Sequence, residues 1–123
     1  MNVVDSSGWL EYFAGGQNAE FFAPAIEDFE QLLVPTICLF EVFKQVVLQF
    51  DENKGLRVVV AMQRGCVVDL DANIALNAAQ LSIAHKLPMA DSVILATSRA
   101  HDATLWTQDS DFKGLERVEY VEK

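Results

Sequence analysis

Apolar residues in this chain fall into two patterns, short continuous runs and longer stretches with a helical repeat. Val3-Val4 is a brief β-branched run that stops at Asp5-Ser6-Ser7-Gly8, which predicts a first strand with Asp5 at its carboxyl end. Trp9, Leu10 and Phe13 then recur at helical spacing over residues 7–13, and Gly15-Gly16 ends the pattern. Between Asn18 and Leu33 the apolar positions Phe21, Phe22, Ala25, Ile26, Phe29 and Leu32 follow a period near 3.6. Pro24 predicts either the first turn of that helix or a kink within it. Leu32-Leu33-Val34 ahead of Pro35 predicts a second strand.

Thr36 is placed to cap the next helix, which the pattern carries to about Phe50. Its apolar face is read as Leu39, Phe40, Phe43, Val46, Val47 and Phe50, with Glu41, Lys44, Gln45 and Gln49 opposite. Residues 51–55, Asp-Glu-Asn-Lys-Gly, read as a charged loop, and Leu56 to Met62 as a helix broken at Gly65. Cys66 to Leu70 predicts a strand. Asp71 is placed to cap a helix ending near Lys86, whose Ala, Leu and Ile content predicts tight packing, with Asn73, Asn77 and Gln80 on one face. Pro88 opens a further helix with Asp91 in its first turn, and the unbroken run Val93 to Ala96 predicts burial on most sides. Ala103 to Trp106 and Arg117 to Val121 are the last strands. Strands alternating with helices predict one α/β domain over residues 1–123 with a mainly parallel sheet. Right-handed crossovers put Asp5 and Asp109 on the same sheet edge, where ligands sit in open α/β sheets.

Composition narrows the classes. A chain of 123 residues, 51% apolar, suits one folded domain and excludes disorder. Cys38 and Cys66 are too far apart for a C-x-x-C motif and read as small core residues of a chain in a reducing cytoplasm. Asp5 interrupts the opening apolar run, so no signal peptide is expected, and no run is long enough for a membrane span. There is no phosphate-binding glycine loop and no nucleophile elbow, and His85 and His101 are too far apart to form a zinc helix pair. Phe21, Phe22, Phe40 and Phe43 read as core rather than as a base-stacking platform. The net charge of −9, from 18 acidic and 9 basic residues, repels a phosphate backbone and suits a basic partner or a bound cation.

The acids carry the candidate chemistry. Asp5 at a strand end serves equally well as a helix cap, and Glu41 on a polar helix face as a solvated carboxylate. Asp91 shares a helix face with Ile94 and Leu95, which draws it inward, where an unpartnered carboxylate is costly. Asp109 and Asp111 follow a strand in Thr107-Gln108-Asp109-Ser110-Asp111. A calcium loop is excluded because Lys113 and Tyr120 stand where ligands would be required. Acids gathered from these positions cannot all ionise without a cation among them. An all-oxygen set suits Mg²⁺ or Mn²⁺, which can activate water and orient a phosphodiester.

The segments Val3-Val4-Asp5-Ser6-Ser7, Leu39-Phe40-Glu41-Val42, Ala90-Asp91-Ser92-Val93-Ile94 and Thr107-Gln108-Asp109-Ser110-Asp111-Phe112 resemble, in order and spacing, the acidic motifs of PIN-domain nucleases. The short chain looks like the VapC-type toxins of type II toxin–antitoxin pairs. The resemblance implies a three-layer α/β/α sandwich and a Mg²⁺- or Mn²⁺-dependent endoribonuclease. It also implies a homodimer and inhibition by a VapB-like antitoxin, whose basic side chain the charge of −9 favours. Asp5, Glu41, Asp91 and Asp109 would be the acidic quartet, with Asp111 auxiliary and Ser6, Ser7 and Thr107 orienting the carboxylates. Lys44, Arg64, Lys86, Arg99 and Lys113 are the cations available to RNA, Lys44 and Arg99 foremost.

Two other classes fit the same residues. In a non-catalytic module of the same fold, the acids would only grip a basic protein. A receiver-like phosphoacceptor would need a lysine late in the chain near the acids, a role Lys113 fits poorly.

Overall fold

Val3 and Val4 have no solvent exposure, and all four residues of the run Leu32–Pro35 are buried, as expected of strands covered on both faces. The computed structural model describes residues 1–123. In chain order the elements are β1 (Asn2–Val4), α1 (Ser6–Ala14), α2 (Ala19–Glu27), β2 (Leu32–Pro35), α3 (Thr36–Gln49), α4 (Glu52–Met62) and β3 (Cys66–Val68). They continue with α5 (Ala72–His85), α6 (Met89–Ala100), β4 (Thr104–Thr107) and β5 (Val118–Tyr120). The sheet has the order β3-β2-β1-β4-β5, and every pairing is parallel. Helices flank it on both sides. Right-handed crossovers carry α1 to α4 over one face and α5 with α6 over the other.

The order places a switch point between β1 and β4. The chain leaves β1 toward β2 and later returns on the far side of β1 as β4. A crevice opens there at the carboxyl ends of the strands. The main core runs from Val3, Leu33 and Leu105 in the sheet to Trp9, Phe22 and Ile94 on the helices. A smaller cluster of Ile74, Ala78, Val93 and Ala96 joins α5 to α6.

Several sequence expectations change. Thr36 does not cap α3. Pro35, held extended at φ −61° and ψ 138°, occupies the cap position, no side chain caps that end, and Thr36 is the first helical residue. The charged stretch 51–55 is not a loop but the start of α4, because the Asp51 carboxylate accepts the Lys54 N–H at 2.8 Å and nucleates the turn. Gly55 sits where a Cβ would lie 2.9 Å from Val47 Cγ2 and 3.1 Å from the Phe43 ring, so α3 and α4 approach at glycine distance. The helical repeat between Asn18 and Leu33 stops at Glu27, with Pro24 inside the helix, and passes through a 3-10 turn (Phe29–Gln31) into β2.

Three burial expectations also fail. α5 is not tightly packed. Only Ile74 and Ala78 are buried, while Leu76 and Ile83 are 69% and 82% exposed, because α5 lies outermost and rests on α6. Cys66 is exposed because β3 is an edge strand, whereas Cys38 is buried. Phe40 and Phe50 are exposed. The buried stripe of α3 is Cys38, Val42 and Val46, which turns Phe40 outward.

Candidate active site

Asp5 ends β1 and begins α1. Its Oδ1 accepts the Gly8 N–H at 2.9 Å, so it is indeed a helix cap. It is also far more than that. The Ser7 hydroxyl lies 3.0 Å from both carboxylate oxygens, and the Thr107 hydroxyl donates to Oδ2 at 2.6 Å. Only glycine fits at position 8, because a Cβ there would stand 2.7 Å from both Phe22 and Val4. Asp5 is 3% exposed. Burial pushes its carboxyl up to about 6, against the pull of the Thr107, Gly8 and Ser7 hydrogen bonds, and the charge of Asp109 raises it further.

Thr107 closes β4 beside Asp5, since β1 and β4 are hydrogen-bonded neighbours. Its hydroxyl accepts the Asp109 N–H at 2.9 Å, and Asp109 Oδ1 in turn accepts the Asp111 N–H at 2.9 Å. That chain of bonds folds Ser110–Phe112 into a 3-10 turn anchored by buried Phe112. Asp91 enters from the first turn of α6, half-buried, as its face shared with Ile94 and Leu95 required. Ligand oxygens of Asp91, Asp109 and Asp111 lie within 4.8 Å of one another. Asp91 is pushed up to about 7, first by burial and then by the charges of Asp109, Asp5, Asp111 and Glu41. The carboxylates named from sequence therefore feel one another, but the tight triple is Asp91, Asp109 and Asp111. Asp5 and Glu41 stand outside it.

Glu41 faces the site from α3, oriented by the Ser6 hydroxyl at 2.6 Å. Ser6 and Ser7 thus serve different acids. Cys38, one turn before Val42, is buried behind the site. Burial pushes its thiol up, and its Sγ points to the Val4 carbonyl at 3.8 Å. Lys44 lines the same recess as Ser6, Ser7 and Glu41. Arg99 lies in the last turn of α6, eight residues from Asp91 and so about 12 Å along the axis.

Two buried polar residues had no signal in the sequence. Asn18 Nδ2 donates to Gln108 Oε1 and to the Glu122 carbonyl, both at 3.0 Å, and Gln108 Nε2 donates to the Ser7 carbonyl at 3.4 Å. Gln108 sits between Thr107 and Asp109, so this network fastens the loop bearing the acids to α1 and to the chain end. The partners are 90 residues apart, which no local pattern reports.

A family profile described as PIN domain matches residues 3–118, spanning every one of these acids. The chain belongs to the PIN domain family. Solved structures agree in fold over nearly the full length. A toxin–antitoxin complex from Klebsiella pneumoniae superposes with a TM-score of 0.83 at 24% identity, covering 97% of this chain and 96% of that one. VapC20 of Mycobacterium tuberculosis, described as a sarcin-ricin loop cleaving toxin, superposes with a TM-score of 0.79 at 15% identity, covering 97% and 98%. VapBC-1 from nontypeable Haemophilus influenzae gives 0.74 at 14%, covering 98% and 96%. At these identities the likeness is one of fold. No curated protein matches the sequence significantly. No helix of this PIN domain is long and apolar enough to cross a membrane.

Proposed function

We propose that this PIN domain is a Mg²⁺- or Mn²⁺-dependent endoribonuclease of the VapC toxin type, held in check by a cognate antitoxin. The observation that carries the proposal is the carboxylate triple at the sheet's switch point, with Asp91 raised to about 7 by burial and by its acidic neighbours. Like charges held this close are costly in the absence of a cation. An all-carboxylate donor set fits a hard divalent ion that keeps several waters. Asp91, Asp109 and Asp111 would hold it, with Asp5 behind them. A bound ion of this kind supplies Lewis-acid stabilisation to a phosphodiester and its leaving oxygen.

The chain's own residues do the rest. Thr107 and Ser7 fix the Asp5 carboxylate, and Asn18 with Gln108 holds the Asp109 loop in register. Glu41, which accepts the Ser6 hydroxyl, would take a proton from the attacking water. Lys44 offers an ammonium to the RNA backbone at the rim, and Arg99, in the last turn of α6, offers a second cation about 12 Å along the helix axis from Asp91.

Two surfaces suit the partners. A groove of about 400 Å³ lined by Leu10, Phe13, Val46, Phe50 and Val58 adjoins Ser7 and would take an apolar antitoxin segment, leaving a basic side chain to enter the acids. The exposed Leu76, Ile83 and Met89 around α5 would be covered in a homodimer. The deciding experiment incubates the purified chain with total RNA in Mg²⁺ or Mn²⁺, with and without chelator, beside Asp91→Asn. Cleavage by the parent that chelator and the substitution both abolish supports the proposal. Equal cleavage by Asp91→Asn overturns it. An absence of both cleavage and a metal-induced rise in melting temperature favours a non-catalytic module.

A further inference from the structure

Phe40 is where the amphipathic pattern of α3 and the structure disagree most. Phe40 is 62% exposed, although it directly precedes Glu41. It is not stranded on a remote surface. Phe40 bounds a recess of about 320 Å³ together with Ser6, Ser7, Glu41 and Lys44, the hydroxyls and carboxylate of the candidate site. One helical turn on, the Lys44 Nζ lies 5.8 Å from the centre of the Phe40 ring. A half-open aromatic ring, with the Lys44 ammonium over one face and the other face free, thus shares one wall with a carboxylate.

We infer that Phe40, with Lys44 at its side, is a stacking platform for a nucleobase flanking the scissile phosphodiester of single-stranded RNA. The inference rests on the nuclease proposal above and adds a source of affinity that does not depend on net charge. A chain of net charge −9 cannot draw RNA by long-range attraction. Base–aromatic stacking needs no net charge and tolerates any base, and a neighbouring cation adds to it. Bases paired within a duplex cover their own faces, so such a platform selects loops and unpaired segments. Lys44 is then placed for the adjoining phosphate, one step from the acids.

The test separates this inference from the proposal beneath it. A labelled mixed-sequence single-stranded oligoribonucleotide is titrated by anisotropy against Asp91→Asn protein, with the RNA checked for intactness. Phe40→Ala on that background is expected to weaken binding by about 5- to 150-fold, the range for loss of one stacked base. Phe40→Trp is expected to restore it, with quenching of the new tryptophan when RNA is added. An oligonucleotide whose bases are replaced by abasic sites should bind equally well with and without the Phe40→Ala substitution. In the cleaving background, the Phe40→Ala defect should fall on KM more than on kcat. Unchanged RNA affinity in Phe40→Ala, with the parent still binding, overturns the platform and leaves the nuclease standing. Conversion of a dimer to monomers by Phe40→Ala in light scattering also overturns it, because the ring would then belong to a second copy of the chain. No RNA binding in a protein that still cleaves RNA overturns the platform alone, whereas the absence of both binding and cleavage removes both proposals together.

Discussion

Thr107 and Asp5, 102 residues apart, are joined by a hydroxyl–carboxylate hydrogen bond of 2.6 Å at the seam between β1 and β4. The same hydroxyl accepts the Asp109 N–H, so one side chain registers two acids at once. Thr107→Val keeps the shape and removes both bonds. It is expected to lower stability by about 1–3 kcal/mol through unsatisfied buried groups. It should also move the Asp5 carboxyl above about 6, because the Thr107 bond is the largest influence holding it down. Urea denaturation and carboxyl NMR titration read the two effects. Thr107→Ser should recover most of both.

Asp91→Asn removes one charge from a crowded centre. In metal-free protein at neutral pH it is expected to raise the melting temperature, since the costs of desolvating a charge and of repulsion, which lift Asp91 to about 7, vanish with the charge. RNA cleavage should fall by more than about 100-fold, beyond the loss typical of groups that only orient a metal ligand. Opposite signs for stability and activity would mark a functional group that the fold carries at a cost. A fall in both would mean that Asp91 is structural.

The pH dependence of the metal-free chain follows from the same two acids. Folded Asp5 and Asp91 titrate near 6 and 7, above the ordinary 3.8, so between these values the folded state binds more protons than the unfolded. Stability therefore falls as pH rises through that window. Their contribution makes the metal-free melting temperature higher just below pH 6 than above pH 7. Saturating Mg²⁺ or Mn²⁺ should reverse the trend, because ligands must be deprotonated to bind. At about 100 times the dissociation constant the ion should add about 2.7 kcal/mol. Thermal melts with chelator and with each metal measure this directly.

Gly55→Ala tests the contact between α3 and α4. A methyl there meets Val47 and the Phe43 ring at 2.9–3.1 Å. Overpacking of about 1–3 kcal/mol outweighs a helix-propensity gain of under about 1 kcal/mol, so a net loss of about 1–2 kcal/mol is expected in urea unfolding. A stabilised Gly55→Ala would show that the two helices are free to separate.

Local periodicity was enough for the parallel α/β class and for the placement of each strand. Val3-Val4, Leu32-Leu33-Val34 and Leu105-Trp106 are short apolar runs set between helical repeats, and nearly every residue in them packs inside the sheet. The acids were legible as well. Asp5 and Asp109 follow strand ends, and Asp91 shares a face with Ile94 and Leu95, so the chemistry of each position is set within a few residues.

What lay out of reach depended on which surface each face meets. Phe40 and Cys38 are near neighbours on one helix, and a periodic count cannot tell which of two apolar stripes will turn inward. Only the seating of α3 against the sheet and α1 exposes Phe40 and buries Cys38. The apolar composition of α5 likewise predicts burial, and only its outermost position leaves Ile83 in water. The pairing of Ser6 with Glu41, of Asn18 with Gln108 and of Thr107 with Asp5 joins residues 35, 90 and 102 positions apart. Hydrogen bonds and charge repulsion act over a few ångströms of space rather than of chain. Local sequence therefore specified the strands, most of the helices and the acids, whereas chain closure alone settled which acids meet, that Asp5 and Asp91 are raised, and which aromatic ring stands open beside them.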